Sequence, residues 1–150
     1  MSVALLLTHG FTIVRDGPER RVMLSAEVLE GYAEIGKATD RFNVSRRRSL
    51  DRLFERFCDV AKHNNNREQF VKEGNFGKDD EAVWAFKAFQ FRVYGSSFQI
   101  DGKETFVCVT YDPAKKQNRA DQVLLRAAGK ALSEVRAQLS TSAERKAGKK

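Results

Sequence analysis

Basic and aromatic residues alternate in one block of the C-terminal half of the chain, and these residue types together bind nucleic acid. The block contains Trp84, Lys87, Arg92, Tyr94, Tyr111, Lys115, Lys116, Arg119 and Arg126. Lysine and arginine neutralise phosphates while aromatic rings stack on unpaired bases, as in proteins that bind single-stranded nucleic acid. The alternative is a half-buried sheet with aromatic residues in its core and cations at its rim. For Phe89, Phe91 and Phe106 a position in the core is favoured.

The charge of the whole chain agrees with a polyanionic partner. Its 150 residues include 27 Lys and Arg and 20 Asp and Glu, which gives a net charge of +7. Residues 1–40 have a net charge of −2 and residues 41–150 a net charge of +9. A basic body attracts nucleic acid, but surface lysine that only keeps a protein in solution gives the same total. Charge alone leaves both interpretations open.

A second basic group, Arg46, Arg47 and Arg48, precedes an amphipathic stripe that runs from Leu50 to Ala61. Cations in the first turn of a helix oppose its dipole. We therefore expect either that the helix starts at Ser49 and the arginines lie in a solvated loop, or that they bind an anion. The loop is favoured, and the second option makes the three arginines candidate nucleic-acid contacts.

The common catalytic and metal-binding motifs are absent. There is no P-loop, dinucleotide-binding glycine motif, HExxH or Gly-x-Ser-x-Gly. His9 and His63 are far apart, and Cys58 and Cys108 lie in apolar stretches without metal-ligand spacing. We therefore expect no cofactor, metal or disulfide. The apolar run at residues 3–7 is too short to cross a bilayer and follows no basic segment, so the expected setting is cytoplasmic, with no membrane partner.

Turn signals and hydrophobic periodicity predict the element order. Two short strands flank residues 16–19, a helix follows Ser25 and ends near Gly36, and the Leu50 stripe forms a second helix. Residues 67–82 are polar and predict a linker or loop. A strand region at 83–94, three strands in all if the chain folds back near Ala88, leads through an Asp101-Gly102 hairpin into a strand at 105–111. A helix at 123–139 follows.

These elements predict a single α+β domain over residues 1–139. Residues 1–24 form a hairpin-like N-terminal element, and residues 140–150 are expected to be a flexible basic tail.

Residues 83–132 resemble the C-terminal half of the RelE/HigB superfamily of toxins from bacterial and phage toxin–antitoxin modules. The matching motifs, in order, are Trp84-Ala-Phe-Lys87, Phe91-Arg-Val-Tyr94, Asp101-Gly102, Thr105 to Tyr111, Lys115-Lys116, and Arg126-Ala-Ala with Lys130. The resemblance covers a third of the chain.

The resemblance implies helices packed on one face of a small twisted antiparallel sheet, with a basic concave face. It also implies a metal-independent endoribonuclease that cleaves mRNA, often on the ribosome, by attack of the 2′-hydroxyl on the adjacent phosphodiester. Such toxins are silenced by an antitoxin protein, expected to contain a helix-turn-helix DNA-binding domain, that covers the basic face.

On this basis each candidate residue receives a role. We expect Lys87 and Arg92 to contact the phosphate and its transition state, because fixed cations stabilise the charge that builds there. Lys115 or Lys116 acts as a base or second clamp, and Tyr94 stacks on or orients a base. Arg119, Arg126 and the Arg46–Arg48 group are expected to add nucleic-acid contacts.

Two other functions remain open at this point. One is a noncatalytic relative of the same fold, either a gyrase poison or an inactive homologue. The other is an unrelated basic protein that binds nucleic acid without sequence preference.

Overall fold

The computed structural model describes residues 2–37, 39–60, 69–88, 91–113 and 121–148, with side chains described as far as residue 140. In these residues the strands are β1 (Thr12–Asp16), β2 (Arg20–Leu24), β3 (Phe70–Phe76), β4 (Glu81–Ala88), β5 (Phe91–Ile100) and β6 (Lys103–Asp112). The helices are α1 (Val3–Thr8), α2 (Ala26–Lys37), α3 (Arg41–Asp59) and α4 (Gln122–Gly148). The expected α+β class is confirmed.

The six strands form one sheet in the order β1-β2-β6-β5-β4-β3. The expected hairpins are present, and both residues of the Asp101-Gly102 turn have positive φ, at 52° and 76°. The pairing of β2 with β6 is parallel, however, whereas the other strand pairs are antiparallel. The expected antiparallel sheet is wrong at this pair. Its two strands are joined by a long connection rather than by a hairpin, so no local turn signal reports their direction.

Helices cover both faces of the sheet. Helices α2 and α3 pack on what we call the α3 face, which includes Val22 and Phe86. Helices α1 and α4 pack on the opposite α4 face, which includes Val83 and Tyr94. The expectation of helices on one face is therefore wrong. The physical reason is that β5 and β6 are buried at successive positions along most of their length, so both of their faces need apolar cover.

The N-termini of α2 and α3 are capped by side chains. Ser25 Oγ accepts a hydrogen bond from the Val28 N–H at 3.2 Å, as its position before α2 predicts. Asp40 caps α3 by accepting from the Asn43 N–H at 3.0 Å. Helix α3 thus starts at Arg41 and not at Ser49. Residues 46–48 therefore lie beyond the first turn of the helix, and it is in the first turn that the helix dipole opposes cations most strongly.

Two boundaries differ from the expected ones, and a third agrees with an option that the sequence left open. The linker predicted at 67–82 contains β3, whose polar sequence suits its position at the edge of the sheet. The strand region at 83–94 divides into β4 and β5, as the option of a fold-back near Ala88 predicted. Helix α4 continues to Gly148, past the expected end of the domain at residue 139. None of the described helices is long and apolar enough to cross a membrane.

Helix α4 contacts the β3–β4 turn at Gly129, and this contact generates a prediction. A Cβ atom on Gly129 would lie 2.5 Å from the carbonyl carbon of Phe76 and 2.9 Å from the nitrogen of Gly77. Alanine stabilises an unobstructed helix by about 1 kcal/mol relative to glycine. Here the obstructing atoms are backbone, so Gly129→Ala is expected to lower the free energy of unfolding by about 1–3 kcal/mol, measured by denaturant titration. Lys130→Ala on the exposed side of α4 serves as the control, and equal stability of the two variants would contradict the close contact.

Candidate functional site

Two cations face each other across neighbouring strands on the α4 face. Lys87 of β4 is paired with Arg92 of β5. Directly opposed residues project from the same face of a sheet, and like charges at such positions repel. Their side chains are only 22% and 9% exposed, so solvent screens the repulsion weakly. The pair therefore needs an anion beside it.

Glu73 of β3 supplies that anion. Its Oε1 atom lies 3.0 Å from Arg92 Nη1 and 3.7 Å from Lys87 Nζ. The Glu73 side chain is 14% exposed. We call Glu73, Lys87 and Arg92 the Glu73 cluster. In it a single carboxylate oxygen contacts two cations, an arrangement that suits an anionic oxygen of a ligand equally well.

A β-bulge positions Glu73. Lys72 pairs with Trp84 and Gly74 pairs with the adjacent Val83, so Glu73 between them has no partner on β4. Gly74 has a φ of +138°, which favours glycine. Bulges redirect side chains and are common beside active sites. Glu73 was not among the predicted site residues, because residues 67–82 were expected to be a linker or loop. Gly74, within the run Lys-Glu-Gly-Asn, is the sequence signal of a bulged strand here.

Three buried polar atoms in or beside the Glu73 cluster have no hydrogen-bond partner among the residues that the structure describes. They are Arg92 Nε, Tyr94 Oη and Thr110 Oγ1. Tyr94 follows Arg92 on the same face of β5 and is paired with Thr110 on β6. Tyr94 is fully buried and Thr110 is 5% exposed. Each such buried group costs roughly 1–3 kcal/mol, so this part of the α4 face carries a local energetic cost.

The surroundings shift the pKa values of Lys87 and Tyr94. Burial lowers the pKa of the Lys87 ammonium, the charge of Arg92 lowers it further, and Glu73 opposes both effects. Burial raises the pKa of the Tyr94 hydroxyl to about 12, so this group remains a neutral donor at physiological pH. The site therefore combines a fixed guanidinium, a carboxylate and an ammonium that gives up its proton more readily than an ordinary lysine.

The structure brings together only part of the predicted site. Lys87 and Arg92 are adjacent, as a shared phosphate site requires. Tyr94 belongs to the core beneath α4, and the predicted stacking of its ring on a base is incompatible with its complete burial. Arg126 is exposed on α4. Lys115, Lys116 and Arg119 lie outside the described residues.

Arg46 has a structural role instead of the predicted contact with nucleic acid. Its side chain is buried, and its guanidinium lies 4.9 Å from the ring centroid of Phe42 and 5.2 Å from that of Phe91. It also donates a hydrogen bond to the carbonyl oxygen of Pro113, just after β6. These contacts join the start of α3 to the end of β6 and leave no surface for a phosphate.

The Arg47 side chain is likewise engaged, whereas the Arg48 side chain has no partner among the described residues. The Arg47 guanidinium lies 3.5 Å from the centroid of the Tyr32 ring and donates to the Tyr32 carbonyl at 3.0 Å. It also pairs with Asp51 one turn along α3. Arg48 is exposed on the outer side of α3. Of this group of three, only Arg48 is positioned to meet a ligand.

The described residues contain no group of three or more His, Cys, Asp and Glu side chains placed to hold a metal ion. Cys58 and Cys108 are both free and buried on the α3 face. No protein-family model matches the chain, and comparisons with curated proteins and with solved structures found no significant match.

The balance of charge in the Glu73 cluster generates a second prediction. Glu73→Gln leaves two nearly buried cations opposed without a carboxylate, which should lower the free energy of unfolding by about 1.5–3 kcal/mol. Inorganic phosphate should restore part of that stability, because its oxygens replace the lost carboxylate. The measurement is denaturant titration of wild type and variant with and without phosphate at constant ionic strength.

Glu34→Gln is the matched control. Glu34 pairs with Lys37 on the exposed side of α2, where both side chains are at least 70% exposed. Its loss should change stability by less than about 0.5 kcal/mol and create no response to phosphate. A Glu73→Gln variant as stable as wild type would show that the cluster does not need its anion.

Proposed function

We propose that the protein is an endoribonuclease of the RelE/HigB type that cleaves mRNA at the Glu73 cluster. The observation that carries the proposal is the pairing of Lys87 and Arg92 across adjacent strands around one carboxylate oxygen. A phosphodiester presents the same kind of oxygen to the two cations.

The three members of the cluster have separate roles in cleavage. Glu73 takes the proton of the 2′-hydroxyl, whose oxygen bonds to phosphorus. The bond from phosphorus to the 5′-oxygen breaks, and the Lys87 ammonium protonates that leaving oxygen. The products are a 2′,3′-cyclic phosphate and a 5′-hydroxyl, and the proton on Glu73 returns to Lys87 through solvent. Arg92 stabilises the negative charge that builds on the non-bridging oxygens.

The resemblance supplies the biological setting of the proposal. It covers residues 83–132, which correspond to β4, β5, β6 and the first part of α4, and a RelE/ParE-like core there would hold Lys87 and Arg92. The resemblance also implies a cytoplasmic protein that acts on ribosome-bound mRNA and is neutralised by an antitoxin with a helix-turn-helix domain. The net charge of +7 supports an RNA partner in general terms.

A noncatalytic relative is the second candidate, and the burial of Arg92 favours it. The Arg92 side chain is only 9% exposed and already contacts Glu73. Because Glu73 already occupies the Arg92 guanidinium, the protein could keep the fold without cleaving RNA, as an inactive homologue or a gyrase-directed toxin would. Cleavage assays on RNA, alongside assays for DNA breaks, separate the two candidates.

Replacing Arg92 tests the catalytic role directly. Arg92→Gln should reduce RNA cleavage by about 10²–10³-fold, because a preorganised donor to the developing charge is lost. The assay follows labelled mRNA with and without ribosomes and identifies the cyclic phosphate end, and induced expression reports growth inhibition. Lys78→Gln, in the exposed β3–β4 turn, removes an equal charge and should leave cleavage intact. Full cleavage or toxicity in a folded Arg92→Gln protein would refute the assignment.

The pH dependence of cleavage tests Lys87. Lys87 must be protonated to donate to the leaving oxygen, and its pKa is lowered from the ordinary 10.5. The rate should therefore decline on the alkaline side at a pH below that value, as Lys87 loses its proton. Arginine holds its proton throughout this range, so Lys87→Arg should remove the alkaline decline while lowering kcat. Lys130→Arg on the exposed side of α4 should keep the wild-type profile, and an unchanged profile in Lys87→Arg would exclude Lys87 as the acid.

A further inference from the structure

Three arginines follow one another along the outer side of α3. Arg48, Arg52 and Arg56 are four residues apart, so they stand about 6 Å apart along the helix axis. All three are exposed. Within the part of the chain that the structure describes, none of their side chains forms an ion pair or hydrogen bond. Arg46 and Arg47 of the same helix, by contrast, are engaged in the contacts described above.

These arginines line a groove with a volume of about 410 Å³. Its other polar walls are Ser45, Ser49 and Gln69, and one leucine completes it. The described lining contains neither an acidic nor an aromatic residue. Arginine and serine side chains contact phosphate and sugar, whereas base recognition needs aromatic planes or base-edge contacts. The chemistry of the groove therefore fits the backbone of a nucleic acid and not its bases.

Gln69 connects this groove to the Glu73 cluster. Its carbonyl oxygen accepts a hydrogen bond of 2.7 Å from the Lys87 N–H. Gln69 immediately precedes β3, which is an edge strand of the sheet. The groove on the α3 side therefore reaches the edge of the sheet at a residue bonded directly to the backbone of Lys87. A single-stranded nucleic acid bound in the groove would have to pass only around the β3 edge of the sheet to reach the Glu73 cluster on the α4 face.

We infer that the α3 groove binds the sugar–phosphate backbone of single-stranded RNA next to the bond that is cleaved. The inference rests on the proposed function, because the RNA bound in the groove is expected to be cleaved at the Glu73 cluster. The groove contributes affinity without sequence preference, and it determines which stretch of RNA enters the cluster. Arg48, Arg52 and Arg56 are binding residues and take no part in the chemical step.

The test compares two triple variants of the full chain. Arg48→Gln/Arg52→Gln/Arg56→Gln removes the groove cations, and Lys37→Gln/Lys78→Gln/Lys130→Gln removes three exposed cations elsewhere. The probe is a short single-stranded RNA with 2′-O-methyl groups throughout, which has no hydroxyl to attack and cannot be cleaved. Its affinity is measured as a function of salt concentration.

The groove variant should bind the probe about tenfold or more weakly at low salt. The slope of log K against log salt should fall by about 2, since each phosphate contact on a single strand contributes about 0.7. The control variant should keep the wild-type slope. On cleavable RNA the groove variant should raise KM and leave kcat unchanged, whereas Arg92→Gln lowers kcat.

The outcomes separate the inference from the proposed function. If the groove variant keeps the wild-type salt slope while Arg92→Gln abolishes cleavage, the groove inference fails and the proposed function stands. If wild type cleaves no RNA but the groove variant loses the salt slope, the proposed function fails and the groove remains a nucleic-acid surface. If a polyglutamate peptide displaces the probe as well as RNA of equal charge does, the assignment to a sugar–phosphate backbone is refuted.

Discussion

Burial of the central strands on both faces is the constraint on which the rest of this structure depends. Strands β5 and β6 lie between two layers of helices, so an ionised side chain on either strand is costly unless a partner of opposite charge is close. Arg92 meets this condition through Glu73 at 3.0 Å. The carboxylate reaches it from β3, across β4, because the bulge next to Gly74 turns the side chain onto the sheet. The charge at the candidate site is thus a consequence of how the edge strand bends.

The local parts of the fold could be predicted from the sequence. The turns at residues 16–19 and 101–102, the Ser25 cap and the apolar stripe of α3 depend on residues close together in the chain, and all are present. The parallel β2–β6 pair could not be predicted, because it joins strands that are far apart in sequence. Strand β3 was missed because an edge strand with polar residues has the composition of a loop. The second layer of helices was not predicted, because the alternation of apolar and polar residues along β5 and β6 does not show that both faces of these strands are buried.

The candidate site was predictable to a similar extent. The adjacency of Lys87 and Arg92 follows from a short connection between two strands, and the motif resemblance selected both residues. Glu73 was absent from the predicted site, since only the bulge brings it near. Tyr94 shows the opposite error: its spacing from Arg92 placed both on one face correctly, but nothing local indicated that α4 covers the ring. Arg46 and Arg47 were predicted to contact nucleic acid, but both guanidinium groups pack against aromatic rings that the local sequence pattern does not bring near them.

The contact between α4 and the β3–β4 turn has a mechanical consequence. At Gly77 and Gly129 backbone meets backbone, with no flexible side chain between them to absorb a displacement. Arg136 of the same helix donates a bidentate pair of hydrogen bonds, of 2.7 and 3.0 Å, to the carboxylate of Glu81, the first residue of β4. Glu73 is three residues from Phe76, at the far end of this rigid linkage. A partner protein that displaced α4 would therefore also displace the β3–β4 turn, and with it the Glu73 carboxylate.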